Sequence, residues 1–511
     1  MSGRMFTNSV AAGSAPSFSG RTDIVYVWIT VIALSLFAGL VHVYSGGNFM
    51  LALVLLGAFG VVLLSLMRPL ISFYLLLALA LMIEQYPPPD GWTAAFPYHS
   101  NFAAIHPSLS GIPVCPLEIH LVCIIAGTFL QGLITRQRTR PAIAWLPMLV
   151  YLGSIIFGLI HGLSRGGSFA PALWEVRGIF YLLALAMILP QIIQTDRQIK
   201  TTVWIIIGAL AFRAAEVNTF YVAAGFSLGV SDGYGNHEDA GFLAGMFIFL
   251  LAMVLLKTYP PQRRTLLILF IPFVVAFIAS GRRTVYGVIG AALITLVLML
   301  EKDLQRRFLK VAWIFVAAFA LYLVVFWTSN TRFAIPAQSI RMAFADDPET
   351  AGERYSSNLY REAENYNLIK MIQKSPLTGS GYGVTVDYSS MPMPLFWELG
   401  FFIPHNQLLG IAAKTGAVGF VLFWFFYLSL LSEVARGFKE AASPYHKAVI
   451  ALVAAAIVNH LVYSYFDIML TYYRNNVLLG TLLGLASVII RLTRESRIAP
   501  SVTGPPADAG T

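Results

Sequence analysis

Charge is scarce in this chain: 12% of the residues are charged against 57% hydrophobic, and the mean hydropathy is +0.71. That balance excludes an ordinary soluble domain, in which about a quarter of residues are charged. Cysteine is nearly absent. Cys123 falls inside an apolar run and Cys115 in the loop just before it, so no disulfide between them is expected. Residues 87–118 contain no lysine or arginine at all, and no repeat of fixed period runs through the sequence. The net charge of +9 would invite nucleic acid, but its placement excludes that partner. The basic residues form short clusters between apolar runs: Arg136/Arg138/Arg140, Arg197/Lys200, Lys257/Arg263/Arg264, Lys302/Arg306/Arg307/Lys310 and Arg491/Arg494/Arg497. Membrane topology accounts for that pattern.

What is present in abundance is apolar runs long enough to cross a bilayer. About fourteen are found, from 24–44 to 474–490, and two of them, 70–86 and 265–280, are short, so about 12–14 spans are expected. The fold class is therefore an all-α polytopic membrane protein. The first run, 24–44, is too long for a cleaved signal peptide and reads as an uncleaved anchor. A cytoplasmic N-terminus puts every basic cluster inside and the Lys/Arg-free segment 87–118 outside. The organisation predicted is a disordered cytoplasmic tail 1–23, a bundle 24–328, an outer loop 329–404, three last spans in 405–491, and a disordered cytoplasmic tail 492–511. Arg165, Arg177, Arg282, Arg283 and Arg474 then fall at outer helix ends, against the positive-inside bias. An anionic ligand at the outer leaflet would explain the set.

The outer loop, 330–404, runs to roughly 75 residues, where connections beyond about 12–15 are functional or disordered. Residues 352–373 read as a helix stopped by Pro376. Tyr355, Leu359, Ala363 and Tyr366 give it an apolar stripe, and Arg354, Asn358, Arg361 and Asn365 a polar one beside it. Gly379, Gly381 and Gly383 resemble a phosphate-cradling loop, but no strand precedes them, and a tight turn back to the membrane is the better reading. Asp346, Asp347 and Glu349 offer either a divalent-cation site or a solvated acidic turn. His405-Asn406 offers either a catalytic base or a plain helix start with Asn406 as its cap. Arg213 and Glu216, three apart in an apolar run, are a functional pair or a structural one. Asn459-His460 reads as a bundle hydrogen bond.

The order Ser280-Gly281-Arg282-Arg283-Thr284, Arg361, Ser375-Pro376-Leu377-Thr378-Gly379-Ser380-Gly381, His405-Asn406 and Lys414-Thr415-Gly416-Ala417-Val418-Gly419 resembles the bacterial O-antigen ligase and polymerase superfamily. The resemblance implies a C-type membrane glycosyltransferase architecture in the inner membrane, with both termini cytoplasmic and the loop periplasmic. It implies inverting, metal-independent transfer of a glycan from an undecaprenyl-diphosphate donor, with no cofactor. The acceptor would be a sugar hydroxyl on lipid A-core or on another lipid-linked glycan, and polysaccharide export partners would follow. Arg283 is the better match to the arginine of that family's Ser-x-Arg motif, with Arg282 beside it. One departure stands out: Lys414 occupies a position where the family often has an acid.

A sugar hydroxyl must lose its proton as it attacks the anomeric carbon, and histidine titrates near the working pH, so His405 is the candidate general base. The departing diphosphate needs fixed cations, for which Arg283 and Arg361 are the first candidates, with Arg354 and Arg282 behind them. Asn406, Lys414, Arg213 and Glu216 form a possible outer shell. A lipid-linked oligosaccharide flippase or polysaccharide transporter is the competing reading. Transporters tend to show internal repeats around a midplane site, and this chain instead carries one asymmetric outer loop.

Overall fold

The computed structural model describes residues 49–498 apart from 86–90, 95, 97, 101–113, 137, 227–232, 330, 332–333, 344–352 and 393–397, together with positions 32, 35, 36 and 39. The chain is an all-α, multi-pass membrane protein. Among the described residues no strand occurs, and nine helices are long and apolar enough to span a bilayer. A tenth joins them if Pro261–Ile268 and Phe270–Ala279, bent by 51° at their junction, count as one span. Most of the first expected span, 24–44, lies outside the described residues.

In chain order the helices are α1 (Phe49–Met67), α2 (Pro69–Met82), α3 (Pro116–Thr135), α4 (Trp145–Ser164), α5 (Phe169–Ile192), α6 (Asp196–Ala223), α7 (His237–Leu255), α8 (Pro261–Ile268), α9 (Phe270–Ala279), α10 (Thr284–Met299) and α11 (Lys302–Phe326). The loop adds α12 (Ile335–Ala343) and α13 (Glu353–Lys374), and α14 (Gln407–Glu440), α15 (Pro444–Phe466) and α16 (Tyr473–Ile498) close the chain. The centre is α16, packed most extensively on α5, while α15 packs against α7, α10 and α14.

The bundle has two distinct ends. At one, the basic clusters meet: Lys447 pairs with Glu301 at 3.3 Å, His446 with Asp196 at 2.8 Å, and Arg491 donates to the Pro190 carbonyl at 3.0 Å. We call this the basic face. At the other, the loop face, α2 ends after only 14 residues. The free carbonyls at its end are taken up by protein. His99 Nε2 reaches the Ala80 and Ile83 carbonyls, and Arg474 donates to the Leu81 carbonyl at 2.8 Å.

Candidate functional site

The loop face is built around a break in α14. Gly416 (φ 65°, ψ −169°) interrupts the helix, and the chain of Pro376–Gly383 passes through the gap. The backbone groups released by the break are taken up by that chain. Ser380 and Gly381 N–H donate to the carbonyls of Ala413 and Lys414 at 2.9 and 2.8 Å, and Ala417 N–H donates to the Pro376 carbonyl at 2.8 Å. Gly381 (φ +86°) passes so close to Gly162 of α4 that a Cβ there would sit 2.2 Å from the Gly162 Cα. The glycine-rich motif is thus a backbone splice between α4 and α14, which agrees with its reading as a tight return to the membrane.

Lys414 lies inside this splice and is 2% exposed. Its Nζ pairs with Glu175 of α5 at 2.8 Å and also donates to the Val384 carbonyl, while the other Glu175 oxygen accepts from Gly383 N–H. The ammonium is turned into protein.

Just before the splice in the chain, α13 lies on the start of α14. Its buried residues are Ala363, Glu364, Asn367, Leu368 and Met371, whereas Leu359 and Tyr366 are exposed. Of the expected apolar stripe, Ala363 packs and Leu359 and Tyr366 do not, while the Tyr355 side chain lies outside the described residues. Two polar side chains take the buried positions because each satisfies loop backbone: Asn367 exchanges hydrogen bonds with Met391, and Glu364 serves the start of α14. Glu364 Oε2 accepts from the His405 N–H at 2.9 Å and the Asn406 N–H at 3.3 Å, and Oε1 lies 3.2 Å from His405 Nδ1. A carboxylate can only accept, so Nδ1 is the ring nitrogen that donates to Glu364, and in a neutral ring this leaves the lone pair on Nε2. The Tyr360 ring meets the imidazole edge-on at 5.2 Å. Burial, then the Glu364 charge, raises the Tyr360 phenol to about 12, so it stands as a neutral wall. Asn406 does cap α14, accepting from Leu409 N–H, and it also donates to Asn365 at 3.0 Å. Asn406 is therefore the cap of α14, and the imidazole before it is held by a buried carboxylate.

Arg361 lies one turn before Glu364 on the same helix, at the spacing that puts side chains on one face. It is partly exposed; among the described residues it has no carboxylate partner, and its Nε has no hydrogen bond. Arg354 opens the same helix, but its side chain is outside the described residues, as are Asp346, Asp347 and Glu349.

On the other side of His405 stands Asp467, between α15 and α16. Burial alone would raise its carboxyl, but His237, paired with it, and His405 nearby outweigh that and hold it well below the usual range. Gly281 (φ +64°) separates α9 from α10 and sets Arg282 and Arg283 at this same end. The turn before them is held by Tyr234 N–H donating to the Ala279 carbonyl at 2.9 Å.

The other candidates belong to a separate buried network. Arg213 pairs with Glu216, with Glu84 and, at 3.0 Å, with Asp239; Arg474 pairs with Asp239 at 2.6 Å and Glu238 at 3.5 Å. Arg177 faces Glu118 at 3.7 Å and lies over the Trp174 ring. The expectation that the outer arginines as a set mark a ligand is corrected here. For Arg177 and Arg474 the counter-charge is the protein's own carboxylate, required because neither can be left unmatched in the bundle. Among the described residues no cluster of three or more His, Cys, Asp or Glu side chains is grouped as metal ligands.

Sequence reasoning missed Glu364, Glu175, Asp467 and the role of His237. The spacing Arg361-x-x-Glu364 was a usable signal for the first; the others meet their partners only through folding. No curated protein matches the chain. Residues 266–424, the stretch that carries Arg282, Arg283, Arg361, His405 and the Lys414–Gly419 turn, match the O-antigen ligase family model, which supports the resemblance to the O-antigen ligase superfamily over that part of the chain.

Proposed function

We propose that the protein transfers a glycan from an undecaprenyl-diphosphate carrier to a sugar hydroxyl at the periplasmic face of the inner membrane, inverting the anomeric centre and using no metal. The observation that carries this reading is the His405–Glu364 pair, made one turn along α13 from Arg361, which has no carboxylate partner among the described residues. His405 Nε2 takes the acceptor hydroxyl proton as that oxygen bonds to the anomeric carbon. The bond from the anomeric carbon to the diphosphate oxygen breaks, and the negative charge that leaves is met by Arg361 and Arg283. Asn406, through Asn365, fixes the start of α14 so that the imidazole keeps its direction. Arg282 and Arg354 stand as additional cations for the donor. Arg213, Glu216 and Lys414 serve packing. The basic face lies in the cytoplasm with both termini, which follows from the positive-inside bias. The acceptor is either lipid A-core, as for a ligase, or a second lipid-linked glycan, as for a polymerase.

The test is the glycan phenotype of a deletion strain complemented with wild type or His405→Ala. Loss of capped lipid A with accumulated lipid-linked polymer, or accumulation of single repeats, supports transfer and names the acceptor; His405→Ala should match the deletion. Disappearance of repeats from the outer leaflet would instead mean a flippase. Purified protein should retain transfer in excess EDTA. Activity abolished by chelation and restored by magnesium or manganese would move the chemistry to Asp346, Asp347 and Glu349.

A further inference from the structure

On the basic face, remote from His405, a cavity of about 1030 Å³ opens between the α1–α2 turn, the end of α3, the start of α4 and the end of α5. Its size is at the top of the range of about 300–1,000 Å³ typical of ligand cavities. Phe129, Leu133 and Trp145 line it and are 64%, 60% and 48% exposed, so apolar wall is left without a protein partner. Its rim carries Arg68, Arg138 and Arg140. None of the three has a carboxylate partner among the described residues, and Arg140 Nη1 is buried without a hydrogen bond. Arg140 is not a loose surface residue: its backbone N–H donates to Gln191 Oε1 at 2.9 Å, and the Gln191 amide donates back to its carbonyl. The missing counter-charge is not supplied nearby in sequence. Between Arg68 and Thr195 the acids are Glu84, Asp90, Glu118 and Glu175. Glu84, Glu118 and Glu175 lie at the loop face, and Asp90 is outside the described residues.

We infer that this cavity is a binding site for an anionic phospholipid, its acyl chains against Phe129, Leu133 and Trp145 and its phosphate on Arg68, Arg138 and Arg140. An apolar wall with a cationic rim at a membrane surface matches that chemistry at both ends, whereas a soluble anion would use only the rim.

Native mass spectrometry of the purified full chain, titrated with phosphatidylglycerol, tests the site. Arg68→Gln/Arg138→Gln/Arg140→Gln should weaken binding by roughly fivefold per arginine, about 100-fold in all. The same charge loss elsewhere on this face, Arg306→Gln/Arg307→Gln/Lys310→Gln, should leave binding unchanged. Gly132→Phe fills the cavity from α3, where an added Cβ meets nothing within 4 Å, and should abolish lipid binding while the protein stays folded. Equal losses in the two triple variants would reduce the effect to general surface charge and overturn the proposal. So would wild-type binding in folded Gly132→Phe, equal uptake of phosphatidylethanolamine, or displacement by millimolar inorganic phosphate, which would make this a site for a soluble anion.

Discussion

Replacing Glu364 by glutamine separates an imidazole that is held for chemistry from one that merely opens a helix. The Glu364 side chain is 0% exposed and meets three N–H groups: His405 Nδ1 at 3.2 Å, His405 N at 2.9 Å and Asn406 N at 3.3 Å. A carboxylate has two acceptor oxygens for them, and an amide has one. If the amide oxygen of the Glu364→Gln side chain stays on the backbone N–H groups, its NH₂ faces Nδ1 and demands a lone pair there. The ring must then carry its proton on Nε2, the atom proposed to receive the acceptor proton. If the oxygen instead serves Nδ1–H, the NH₂ opposes two buried backbone donors, an unsatisfied arrangement costing about 1–3 kcal/mol. The first arrangement keeps more bonds, so the wrong tautomer should dominate. The loss in kcat should then approach that of deleting the base, about 10²–10⁴-fold. Donor affinity should be unchanged, because Arg361 and Arg283 are untouched. The assay is transfer by purified protein from a lipid-diphosphate donor, with donor KM measured separately and folding checked by the melting transition. A folded Glu364→Gln protein turning over at the wild-type rate would refute the general-base reasoning.

Arg361→Ala should lower kcat/KM by roughly 10–150-fold, the worth of a hydrogen bond to a charged group, in donor binding and turnover together; Arg361→Lys should recover only part, and an effect confined to the acceptor KM would remove Arg361 from the diphosphate. Reporter fusions after Arg140 and Lys310 should read cytoplasmic and after Tyr388 periplasmic, and a cytoplasmic Tyr388 would put the loop on the wrong side for a periplasmic donor. Gly166→Ala and Gly381→Ala form a matched pair, since both positions have nearly the same φ (+85° and +86°). A Cβ at Gly166 meets nothing, so that variant should lose only the left-handed penalty of about 1–2 kcal/mol, while Gly381→Ala, driven into the Gly162 backbone, should fail to assemble; equal melting temperatures would deny the splice.

The spans were legible because an apolar run long enough to cross a bilayer is a local property of the sequence, and the cap at Asn406 was legible for the same reason. The helix of the loop was expected over 352–373 and is found at Glu353–Lys374. Its packed face was not legible. Hydropathy ranks Leu359 and Tyr366 as the side to bury, but Glu364 and Asn367 are buried instead because they satisfy backbone groups at His405, Asn406 and Met391. That preference depends on chain lying 24–42 residues away, which no window of the sequence contains. The Asp467–His237 pair spans 230 positions and is invisible for the same reason.

The Lys414 departure follows from charge matching at the loop face. A cation buried in a bilayer protein must find its counter-charge nearby, so the placement of carboxylates decides which cations remain able to meet a ligand. Glu175 answers Lys414, Glu118 answers Arg177, and Glu84, Glu216, Glu238 and Asp239 answer Arg213 and Arg474. A lysine in place of an acid at 414 is therefore tolerated because α5 supplies the acid, and the pair pins the splice through Gly383 and Val384. Glu364, like Asp467, pairs with a histidine rather than with a lysine or arginine. It sits one turn from Arg361, yet it binds the His405 backbone and imidazole rather than the guanidinium. The loop helix thus carries a cation whose natural partner, one turn away, is engaged with a histidine instead. Lys414, Arg177, Arg213 and Arg474 are matched internally, whereas Arg361 has no carboxylate partner among the described residues and is left for an anion from outside.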